Sequence, residues 1–396
     1  IKLFIQEHPK CIRKDNYNIE DIIELRENNF KVIPIVDKNK KIINILNFRI
    51  QKSYLPVDAV IMAGGVGTRF WPMSRSSKPK QFLDILGTGK SLIQMTYDRL
   101  LKSVPSSNIL VVTNEFYCEV VAEHLPELPS ENILAEPCMR NTAPCIAYAN
   151  SVIASRVADP SNTSIIVAPS DHLITDGEEF HRVLSVAFDA CLESDQILTM
   201  GIKPSRPDTG YGYIKYRGVG EVLEVVEFTE KPELSQAEGF LNSGDYCWNS
   251  GIFVWSLATI NSAFEKHLPA ISQAFSSGYD VEDIYANCES ISIDYGVLEK
   301  SENVGVIAAD FGWSDLGTWT SLSSHIDLSE GNHTVGADVI STDSIGNIIV
   351  APKGKTIAIK GLNDFIVVDT EDAMLICPKS DEQWVKELVG QLKDKK

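Results

Sequence analysis

Residues 58–82 read DAVIMAGGVGTRFWPMSRSSKPKQF, an apolar run that leads directly into a glycine-rich loop. The run is nearly all apolar, which is typical of a strand covered on both faces of a sheet. Gly64, Gly65 and Gly67 let the backbone turn tightly and approach a ligand, because no Cβ atom is in the way. Arg69 and Lys80 add positive charge, so this stretch predicts a strand and a loop that binds a polyphosphate.

Two better-known phosphate-binding motifs do not fit this sequence. A dinucleotide-binding GxGxxG that begins at Gly65 would need its third glycine at position 70, which is Phe70. The string GTGKS at residues 87–91 resembles the end of a Walker A loop, but the first glycine of that motif would fall at Asp84. We therefore interpret residues 87–90 as a turn and Ser91 as the start of a helix.

Strand-like and helix-like segments alternate from residue 57 to about residue 328. Further apolar runs lie at residues 109–113, 164–168 and 196–200, with helical patterns such as 92–104 and 142–158 between them. This alternation predicts an α/β fold with a doubly wound, mostly parallel, Rossmann-like sheet. Ligands bind at the carboxyl ends of the strands in such sheets, so we expect the site there.

Two smaller segments flank this region, and we expect three units at residues 1–55, 56–330 and 331–396. Short β-like stretches at residues 348–350, 356–359, 365–369 and 373–376, followed by an amphipathic tail at 381–392, predict a β-roll or β-helix-like cap with a terminal helix. The first unit predicts strands at residues 11–13, 32–37 and 42–46 and a helix at 19–28.

The composition argues against several classes of protein. A net charge of −18 disfavours nucleic acid, but a few basic residues in one cleft can still bind a small phosphorylated substrate. No apolar run approaches the roughly 20 residues that span a bilayer, and the first residues lack a signal-peptide pattern. The eight cysteines form no CxxC pair that would indicate zinc or redox chemistry. We expect a cytoplasmic protein without a membrane partner.

The order GGxGTRxxPxS followed by PKQ, at residues 64–74 and 79–81, resembles the signature of the sugar nucleotidylyltransferases. The strings FWPMS and PKQF resemble the corresponding sequences of the mannose-1-phosphate guanylyltransferases within that family. The resemblance extends over residues 57–376. It implies GTP and mannose 1-phosphate as substrates, Mg²⁺ as cofactor, and Arg69 and Lys80 as catalytic residues. The nucleotide-binding residues that it implies in this loop are Ala63, Gly64, Gly65, Gly67, Thr68 and Arg69.

Three later motifs follow in the order of that family. Asn141 and Thr142 suit the ribose or base of the nucleotide, although either could instead cap a helix. Asp171, directly after an apolar run, is implied as a magnesium ligand and Ser170 as a nucleotide contact; the alternative is again a helix cap. Asp315, in the string GWSDLGTW, is implied as the second magnesium ligand, with a turn residue as the alternative.

Between these motifs lie residues that resemble the hexose-phosphate pocket of the family, namely Tyr211, Gly212, Glu230, Lys231, Asn249 and Gly251. A carboxylate accepts hydrogen bonds from sugar hydroxyls, a lysine binds the sugar phosphate, and an amide does both. The alternative for Glu230 and Lys231 is a solvated ion pair that contributes little.

The resemblance implies in-line attack of the sugar phosphate on the α-phosphorus of GTP, with no general base. Two alternatives stay open: another nucleotide-sugar pyrophosphorylase, for glucose or fucose phosphate, and a degenerate protein that only senses nucleotides. Residues 1–55 resemble half of a CBS module, which implies a possible adenine-nucleotide partner and, because two halves must meet, a homodimer. The sequence contains no cupin-like segment with metal-spaced histidines, so we expect no phosphomannose isomerase activity.

Overall fold

The computed structural model describes residues 12–13, 32–47, 57–65, 67–326 and 328–393. The chain divides into two compact units, residues 1–55 and residues 56–396. Across the ranges that are described, no helix is long and apolar enough to cross a membrane.

The first unit contains a small sheet of three strands in the order β1-β2-β3. The strands are β1 (Ile12–Arg13), β2 (Val32–Val36) and β3 (Ile42–Asn47). β1 runs parallel to β2, and β2 runs antiparallel to β3. The Asp37 carboxylate accepts hydrogen bonds from the backbone of Asn39 and Lys41, which stabilises the hairpin turn. The predicted strands are present, and the helix predicted at residues 19–28 lies outside the described residues.

The second unit is built on a nine-stranded sheet in the order β10-β11-β13-β9-β12-β7-β4-β5-β6. Its strands, together with the short β8, are β4 (Val57–Ala63), β5 (Ile109–Asn114), β6 (Ile133–Glu136), β7 (Ser164–Pro169), β8 (Leu173–Ile174), β9 (Ile197–Ile202), β10 (Gly212–Arg217), β11 (Leu223–Glu230), β12 (Tyr246–Ser256) and β13 (Val304–Ala309). β8 pairs outside the large sheet with β14 (Trp313–Ser314).

Helices pack on both faces of this sheet, and one further helix follows the cap at the end of the chain. They are α1 (Leu92–Leu100), α2 (Cys118–His124), α3 (Thr142–Arg156), α4 (Gly177–Glu193), α5 (Leu234–Ser243), α6 (Leu257–His267), α7 (Pro269–Ser276), α8 (Val281–Asn287), α9 (Ile293–Gly296), α10 (Trp319–Ser323) and α11 (Trp384–Lys393).

The side chains of β4 show why the sheet is covered on both faces. Ala59, Val60 and Ile61 are each 0% exposed. Ile61 packs in the cluster that contains Ile93 of α1, whereas Val60 packs in the opposite cluster with Ile146 of α3. Successive strand residues point to opposite faces, so an unbroken apolar run requires a helix layer on each side.

Seven of the nine strands run in the same direction, as the sequence predicts, and β11 and β12 run the opposite way. β6, β5, β4 and β7 are parallel, and β9 is parallel to β13. β12 runs antiparallel to both β7 and β9, and β10 and β11 add further antiparallel pairs. An apolar run has no direction, so its burial pattern alone does not distinguish a parallel strand from an antiparallel one at the sheet centre.

The end of the chain forms a β-helix-like cap, as predicted. Its strands are β15 (Leu328–Ser329), β16 (Asn332–Val335), β17 (Asp338–Thr342), β18 (Ile348–Val350), β19 (Thr356–Lys360), β20 (Phe365–Asp369) and β21 (Met374–Pro378). Parallel pairing joins β16 to β18 and β18 to β20, and separately joins β17 to β19. Buried Asn332 and Asn347 bond to each other across adjacent turns, with 2.8 Å between Asn347 Nδ2 and Asn332 Oδ1.

The cap also supports the segment that follows the glycine loop. Phe70, Leu83 and Trp319 share a buried cluster with Ile348 and Ile366 of the cap. The rings of Phe70 and Trp319 have centroids 4.8 Å apart. Phe70 precedes Lys80 in sequence and Leu83 follows it, and both pack against the cap. The cap therefore helps to fix the position of Lys80 in the cleft.

The loop that resembles a Walker A motif is closed by its own carboxylate. Asp84 Oδ1 accepts from the backbone N–H of Thr88 at 2.9 Å, and Asp84 Oδ2 accepts from the N–H of Gly89 at 2.7 Å. An anion therefore already occupies the donors that a phosphate would need. Ser91 caps α1 in a capping box with Gln94, as the sequence predicts.

Candidate active site

The glycine-rich loop follows β4 at the carboxyl edge of the sheet. Gly65 and Gly67 have φ values of 82° and 64°, in the left-handed region that favours glycine. A Cβ atom on Gly67 would lie within 3.0 Å of the Cβ of Lys80, so only glycine lets the two segments pack here. The Ser74 hydroxyl donates to the carbonyl of Gly67 at 2.7 Å, which fixes the end of the loop.

The start of the same loop is fixed by side chains from the interior. Gln81 Nε2 donates to the carbonyls of Ala63 and Gly65 at 3.2 and 3.3 Å. The Thr113 hydroxyl of β5 donates to the carbonyl of Ala63 at 3.0 Å. These bonds satisfy the carbonyl groups, so the loop is preorganised rather than free. Gly64 and Gly65 are exposed at its tip.

Lys80 is the residue that joins the elements of the site. Its side chain is 6% exposed, and its Nζ lies 2.8 Å from Asp171 Oδ2 and 2.6 Å from the Asp315 carbonyl. A lysine is rarely this buried unless partners satisfy its charge. Three segments distant in sequence therefore meet at one ammonium group.

Asp171 follows β7 and faces the cleft with 30% of its side chain exposed. Burial alone would raise the pKa of its carboxyl, but the charge and hydrogen bond of Lys80 hold that pKa below its ordinary value. No helix begins here, because the next helix, α4, starts at Gly177 and is capped by Asp176. The alternative that Ser170 or Asp171 caps a helix is therefore wrong.

His172 supports the Asp171 turn from the side. The Trp313 indole N–H, which can only donate, lies 3.2 Å from His172 Nδ1, so Nδ1 accepts. Burial lowers the pKa of His172, which keeps its ring neutral near pH 7. The remaining ring proton is on Nε2, 4.0 Å from Asp171 Oδ1. His172 therefore faces Asp171 with a polar N–H and no formal charge.

Asp315 lies directly after β14, on the loop opposite Asp171. Its Oδ1 accepts from the hydroxyl of Tyr211 at 2.6 Å and from the backbone N–H of Gly317 at 3.0 Å. It is therefore both a turn residue and a residue of the cleft, so the two interpretations are compatible. Burial, together with the neighbouring Asp315 carboxylate, raises the pKa of Tyr211, which stays a hydrogen-bond donor.

Arg206 is a cleft residue that the sequence analysis did not select. Its guanidinium lies 5.6 Å from the ring centroid of Tyr211 and 5.2 Å from that of Trp248, and it donates to the Tyr211 hydroxyl at 3.2 Å. It also pairs with Asp208 at 2.7 Å. The string RPDTGYGY begins with this arginine, and a cation next to a Tyr-Gly-Tyr motif was the signal available.

The residues that resemble a sugar pocket lie together. Gly212 is opposite Glu230 in the β10–β11 pair, and a Cβ on Gly212 would overlap with Glu230 Oε2 and lie 3.5 Å from the Cβ of Asn249. Lys231 Nζ lies 2.5 Å from Glu230 Oε1, so the ion-pair interpretation also holds. The Cβ position of Gly251 lies 3.9 Å from His172 Cε1, which connects this group to the Asp171 turn.

The residues implied in base and ribose binding have structural partners. Asn141 has a φ of 69° and is the N-cap of α3, where its side chain accepts from the backbone N–H of Thr142. The Thr142 hydroxyl accepts from the backbone N–H of Ile293 at 2.8 Å. The helix-cap interpretation of Asn141 therefore holds, and nucleotide contacts by both residues stay predictions. Ser170 is 1% exposed and lies directly beneath the Asp171 turn.

The structure brings Lys80, Asp171 and Asp315 into one cleft, whereas Arg69 stands apart. Arg69 is exposed on the single helical turn Thr68–Phe70. Within the described ranges, no hydrogen bond or ion pair joins Arg69 to Asp171 or Asp315. The predicted role of Arg69 therefore depends on a bound triphosphate that reaches it, and it stays a prediction.

A ring of neighbouring residues lines the cleft. Lys80 contacts Asp171 and the Asp315 carbonyl, and Tyr211 contacts the Asp315 carboxylate. On the other side, an added Cβ on Gly251 would lie 3.9 Å from His172 Cε1, and one on Gly212 would lie 3.5 Å from the Cβ of Asn249. The ring lies at the carboxyl ends of β4 and β7, beside the glycine loop. Such an arrangement combines anion-binding backbone, a buried cation and two carboxylates, which together suit a phosphorylated ligand with a divalent cation.

Comparisons with known families assign the fold. The Nucleotidyl transferase family model matches residues 58–330, and the MannoseP isomerase/GMP-like beta-helix domain model matches residues 337–392. The chain therefore belongs to the nucleotidyl transferase family, and it is a nucleotidyltransferase enzyme with a β-helix-like cap. The resemblance of residues 1–55 to half of a CBS module stays a prediction.

Several individual proteins that resemble this chain carry more specific names than the family does. The xanthan biosynthesis protein XanB of Xanthomonas campestris pv. campestris is 41% identical over 355 residues, which cover 84% of this chain and 73% of that protein. The mannose-1-phosphate guanylyltransferase of Escherichia coli K12 is 37% identical over 356 residues, with the same coverage. A crystal structure from Thermus thermophilus, described as a mannose-1-phosphate geranyltransferase, matches with a TM-score of 0.78 and 33% identity, over 85% of this chain and 99% of that chain.

Proposed function

We propose that this protein transfers GMP from GTP to mannose 1-phosphate and thereby forms GDP-mannose and pyrophosphate. The named relatives support this reaction, since similarity to a mannose-1-phosphate guanylyltransferase extends over 84% of the chain. The structural observation that carries the proposal is the bridge from Lys80 to Asp171 and Asp315 beside the glycine loop. That bridge supports the proposal, because a magnesium-bound triphosphate would need a cation and carboxylates beside the loop.

The chemistry that we infer is a single in-line displacement. A non-bridging oxygen of the sugar phosphate forms a bond to the α-phosphorus of GTP, and the bond from that phosphorus to the β-phosphate oxygen breaks. Pyrophosphate leaves with the electron pair. The nucleophile is already an anion near neutral pH, so no general base is needed and catalysis rests on placement and charge neutralisation. The neutral His172 ring, engaged by Trp313, is consistent with that requirement.

The positive charge of the site has a specific task in this scheme. Lys80 is preorganised by its two partners, and it would offset negative charge on the transferred phosphoryl group or the leaving pyrophosphate. Arg69 would add a second positive charge from the exposed turn. Backbone N–H groups of the loop would bind phosphate oxygens. The proposed nucleotide contacts are Ala63, Gly64, Gly65, Gly67, Thr68, Arg69, Asn141, Thr142 and Ser170.

Asp171 and Asp315 fit a magnesium ion. Magnesium in nucleotide sites takes one or two carboxylates together with substrate phosphates and water. Lys80 contacts the carboxylate of Asp171 and the backbone carbonyl of Asp315, and no group of three or more His, Cys, Asp or Glu suited to a metal occurs in the described residues. Bound there, the ion would neutralise phosphate charge. Asp171 and Asp315 would hold it, and Tyr211 would orient the Asp315 carboxylate.

The sugar phosphate would occupy the other side of the ring. Glu230 offers acceptor oxygens for sugar hydroxyls, and Lys231 offers a cation for the phosphate. Gly212 provides room and a backbone N–H beside Glu230. Gly251 has a φ of 70° and lies where the pairing of β12 with β9 is irregular, next to Asn249. The proposed sugar-phosphate contacts are Tyr211, Gly212, Glu230, Lys231 and Gly251, and Asn249 lies in the same pocket.

The test measures activity with every pair of nucleotide and sugar phosphate. Pyrophosphate release is measured with GTP, UTP, dTTP and ATP, each with the 1-phosphates of mannose, glucose and fucose, with and without Mg²⁺. We expect GTP with mannose 1-phosphate to exceed the other pairs by at least about tenfold in kcat/KM, and activity to require the divalent cation. A preference for another pair would replace the substrate assignment. Nucleotide binding without pyrophosphate release would favour the degenerate sensing protein.

We also propose that residues 1–55 act as half of a CBS-like module that binds an adenine nucleotide when two copies meet. The order of β1, β2 and β3, with one parallel and one antiparallel pair, supports this proposal. We expect the full chain to sediment as a dimer and residues 56–396 to sediment as a smaller species. AMP, ADP or ATP should change the activity of the full chain only. A monomeric full chain that does not respond to these nucleotides would contradict the proposal.

A further inference from the structure

The amide of Asn249 is held in one orientation by the protein. The backbone N–H of Gly251 donates to Asn249 Oδ1 at 3.1 Å, and the Thr199 hydroxyl donates to the same oxygen at 3.3 Å. A backbone N–H can only donate, so the atom that it faces is the oxygen. The amide nitrogen therefore points the other way, toward Asp294 Oδ1 at 2.7 Å. Asn249 is thus fitted to hold Asp294.

Asp294 is itself positioned by its backbone neighbours. It lies in the first turn of α9, and the N–H of the preceding residue, Ile293, donates to the Thr142 hydroxyl at 2.8 Å. The N–H of Ala143 donates to the carbonyl of Ile291 at 3.1 Å. These bonds join the start of α9 to the start of α3, where the nucleotide is proposed to bind. Asp294 therefore stands between the proposed nucleotide and sugar sides of the cleft.

The Asp294 carboxyl is half-buried, and Lys231 is a nearby cation that is not paired with it. Asn249 is its one side-chain hydrogen-bond partner in the described residues, and it forms no ion pair there. Burial raises the pKa of Asp294 in spite of the hydrogen bond from Asn249, and the nearby Glu230 carboxylate adds to the rise. A partly buried carboxyl without a paired cation is costly unless a ligand supplies hydrogen-bond donors.

Glu230 faces the same space as Asp294. The Cβ position of Gly212 would overlap with Glu230 Oε2 and is 3.5 Å from the Cβ of Asn249, whose amide reaches Asp294. Lys231 pairs with the other oxygen of Glu230, Oε1. Two carboxyls and one ammonium therefore surround this part of the cleft. Acceptors exceed cations here, which suits the hydroxyls of a sugar ring better than a second phosphate group.

We propose that Asp294 determines sugar specificity by accepting hydrogen bonds from ring hydroxyls of the sugar phosphate, and that Asn249 is its positioning residue rather than a direct sugar ligand. This inference rests on the proposed function. It assigns to Asp294, in the string SIDYG, a role that the sequence analysis gave to Asn249. It also gives a reason for the bond between α9 and Thr142, since that bond sets the distance between the sugar and the nucleotide.

The experiment compares Asp294→Asn with the wild type in steady-state kinetics, using mannose 1-phosphate and its single-deoxy analogues at saturating GTP. We expect the KM for mannose 1-phosphate to rise by about 10- to 100-fold, as for the loss of a hydrogen bond to a charged group. The KM for GTP should stay within about twofold. One deoxy analogue should be a poorer substrate than mannose 1-phosphate for the wild type but not for Asp294→Asn, because the bond is already lost.

A matched control and a second variant complete the test. Glu302→Gln removes an exposed carboxylate from the segment after α9, and it should leave the KM for both substrates unchanged. Asn249→Ala should raise the KM for the sugar phosphate, and the double variant should be no worse than Asp294→Asn alone. Circular dichroism melting confirms that each variant is folded; if Asp294→Asn unfolds, Asn249→Ala with the deoxy series gives the same comparison.

The two proposals fail separately. If the wild type does not make GDP-mannose, the proposed function is wrong whatever Asp294 does. If the wild type is active and Asp294→Asn keeps its KM and its discrimination among the deoxy analogues, only the role of Asp294 is overturned. The role of Asp294 would also be overturned if the loss caused by Asp294→Asn and the loss caused by each deoxy analogue simply added. Additivity would mean that no analogue lacks the hydroxyl that Asp294 binds.

Discussion

The ammonium of Lys80 lies 2.8 Å from the carboxylate of Asp171, although 91 positions separate the two residues in sequence. The ion pair is close to the interior on the lysine side, where 6% of the side chain is exposed, and open to the cleft on the aspartate side, where 30% is exposed. A ligand can therefore reach the carboxylate while the lysine stays fixed.

Replacing Lys80 with Ala should lower kcat by at least about 100-fold, because a preorganised positive charge near the transferred phosphoryl group is lost. The matched control is Lys78→Ala, which removes an exposed lysine two positions earlier and should keep wild-type kcat. Pyrophosphate release in single-turnover mode measures the chemical step directly. Near-normal turnover in Lys80→Ala would exclude the proposed role.

Replacing Asp171 with Asn should increase the Mg²⁺ concentration needed for half-maximal activity and lower kcat by about 100-fold or more, because one anionic metal ligand is removed. Asp189→Asn, an exposed aspartate on α4, controls for the loss of one charge. Titration of activity with Mg²⁺ and with Mn²⁺ gives the measurement. An unchanged metal requirement would show that Asp171 does not hold the ion.

Replacing Gly67 with Ala should destabilise the protein, because a left-handed residue with a Cβ costs about 1–2 kcal/mol and the new atom would overlap with Lys80. Gly64→Ala is the matched comparison, since Gly64 has no neighbour within 4 Å of the added atom. Thermal melting should show a lower Tm for Gly67→Ala alone. Equal Tm values for the two variants would mean that the loop adapts.

Replacing Glu136 with Gln should make stability less dependent on pH. Glu136 is 5% exposed, and burial raises its pKa from 4.5 to about 7, although the hydrogen bond from Tyr285 acts in the opposite direction. A carboxyl whose pKa is raised by folding favours the folded state at low pH, and that contribution is lost as pH rises from about 4.5 through about 7. The loss amounts to about 3 kcal/mol.

Urea unfolding of the wild type and Glu136→Gln at pH 5 and pH 8.5 checks this expectation. The wild type should lose more stability between the two pH values than the variant does, and Glu131→Gln, an exposed carboxylate nearby, should behave as the wild type. Parallel curves for wild type and Glu136→Gln would show that the carboxyl titrates normally.

Local sequence patterns predicted much of the fold correctly. Apolar runs located β4, β5, β7 and β9 to within one or two residues, and the interpretation of Ser91 as a helix start agrees with α1, which begins at Leu92. β12 was not predicted as a strand, and its burial on both faces would not have shown that it runs antiparallel to β7 and β9. The Asn332–Asn347 contact of the cap was missed because two isolated asparagines carry no periodic signal.

The candidate site was predicted in part for a similar reason. Motif similarity identified Lys80, Asp171 and Asp315. In the structure the Lys80 ammonium contacts the Asp171 carboxylate and the Asp315 carbonyl. Arg206 was missed although it lies close to Tyr211 in the same string, so a local signal for it existed. Asp294 was missed because it acts through Asn249, which is 45 positions away, and no spacing rule connects such a pair.

Local periodicity and neighbours within a few positions were enough to locate several strands and helices of the α/β region and the glycine loop with its charged residues. The bridge from Lys80 to Asp171 and the Asp315 backbone, and the orientation of the Asn249 amide toward Asp294, became visible only in the folded chain. Those contacts depend on which segments lie side by side at the carboxyl ends of the strands. Packing of the whole core determines that arrangement.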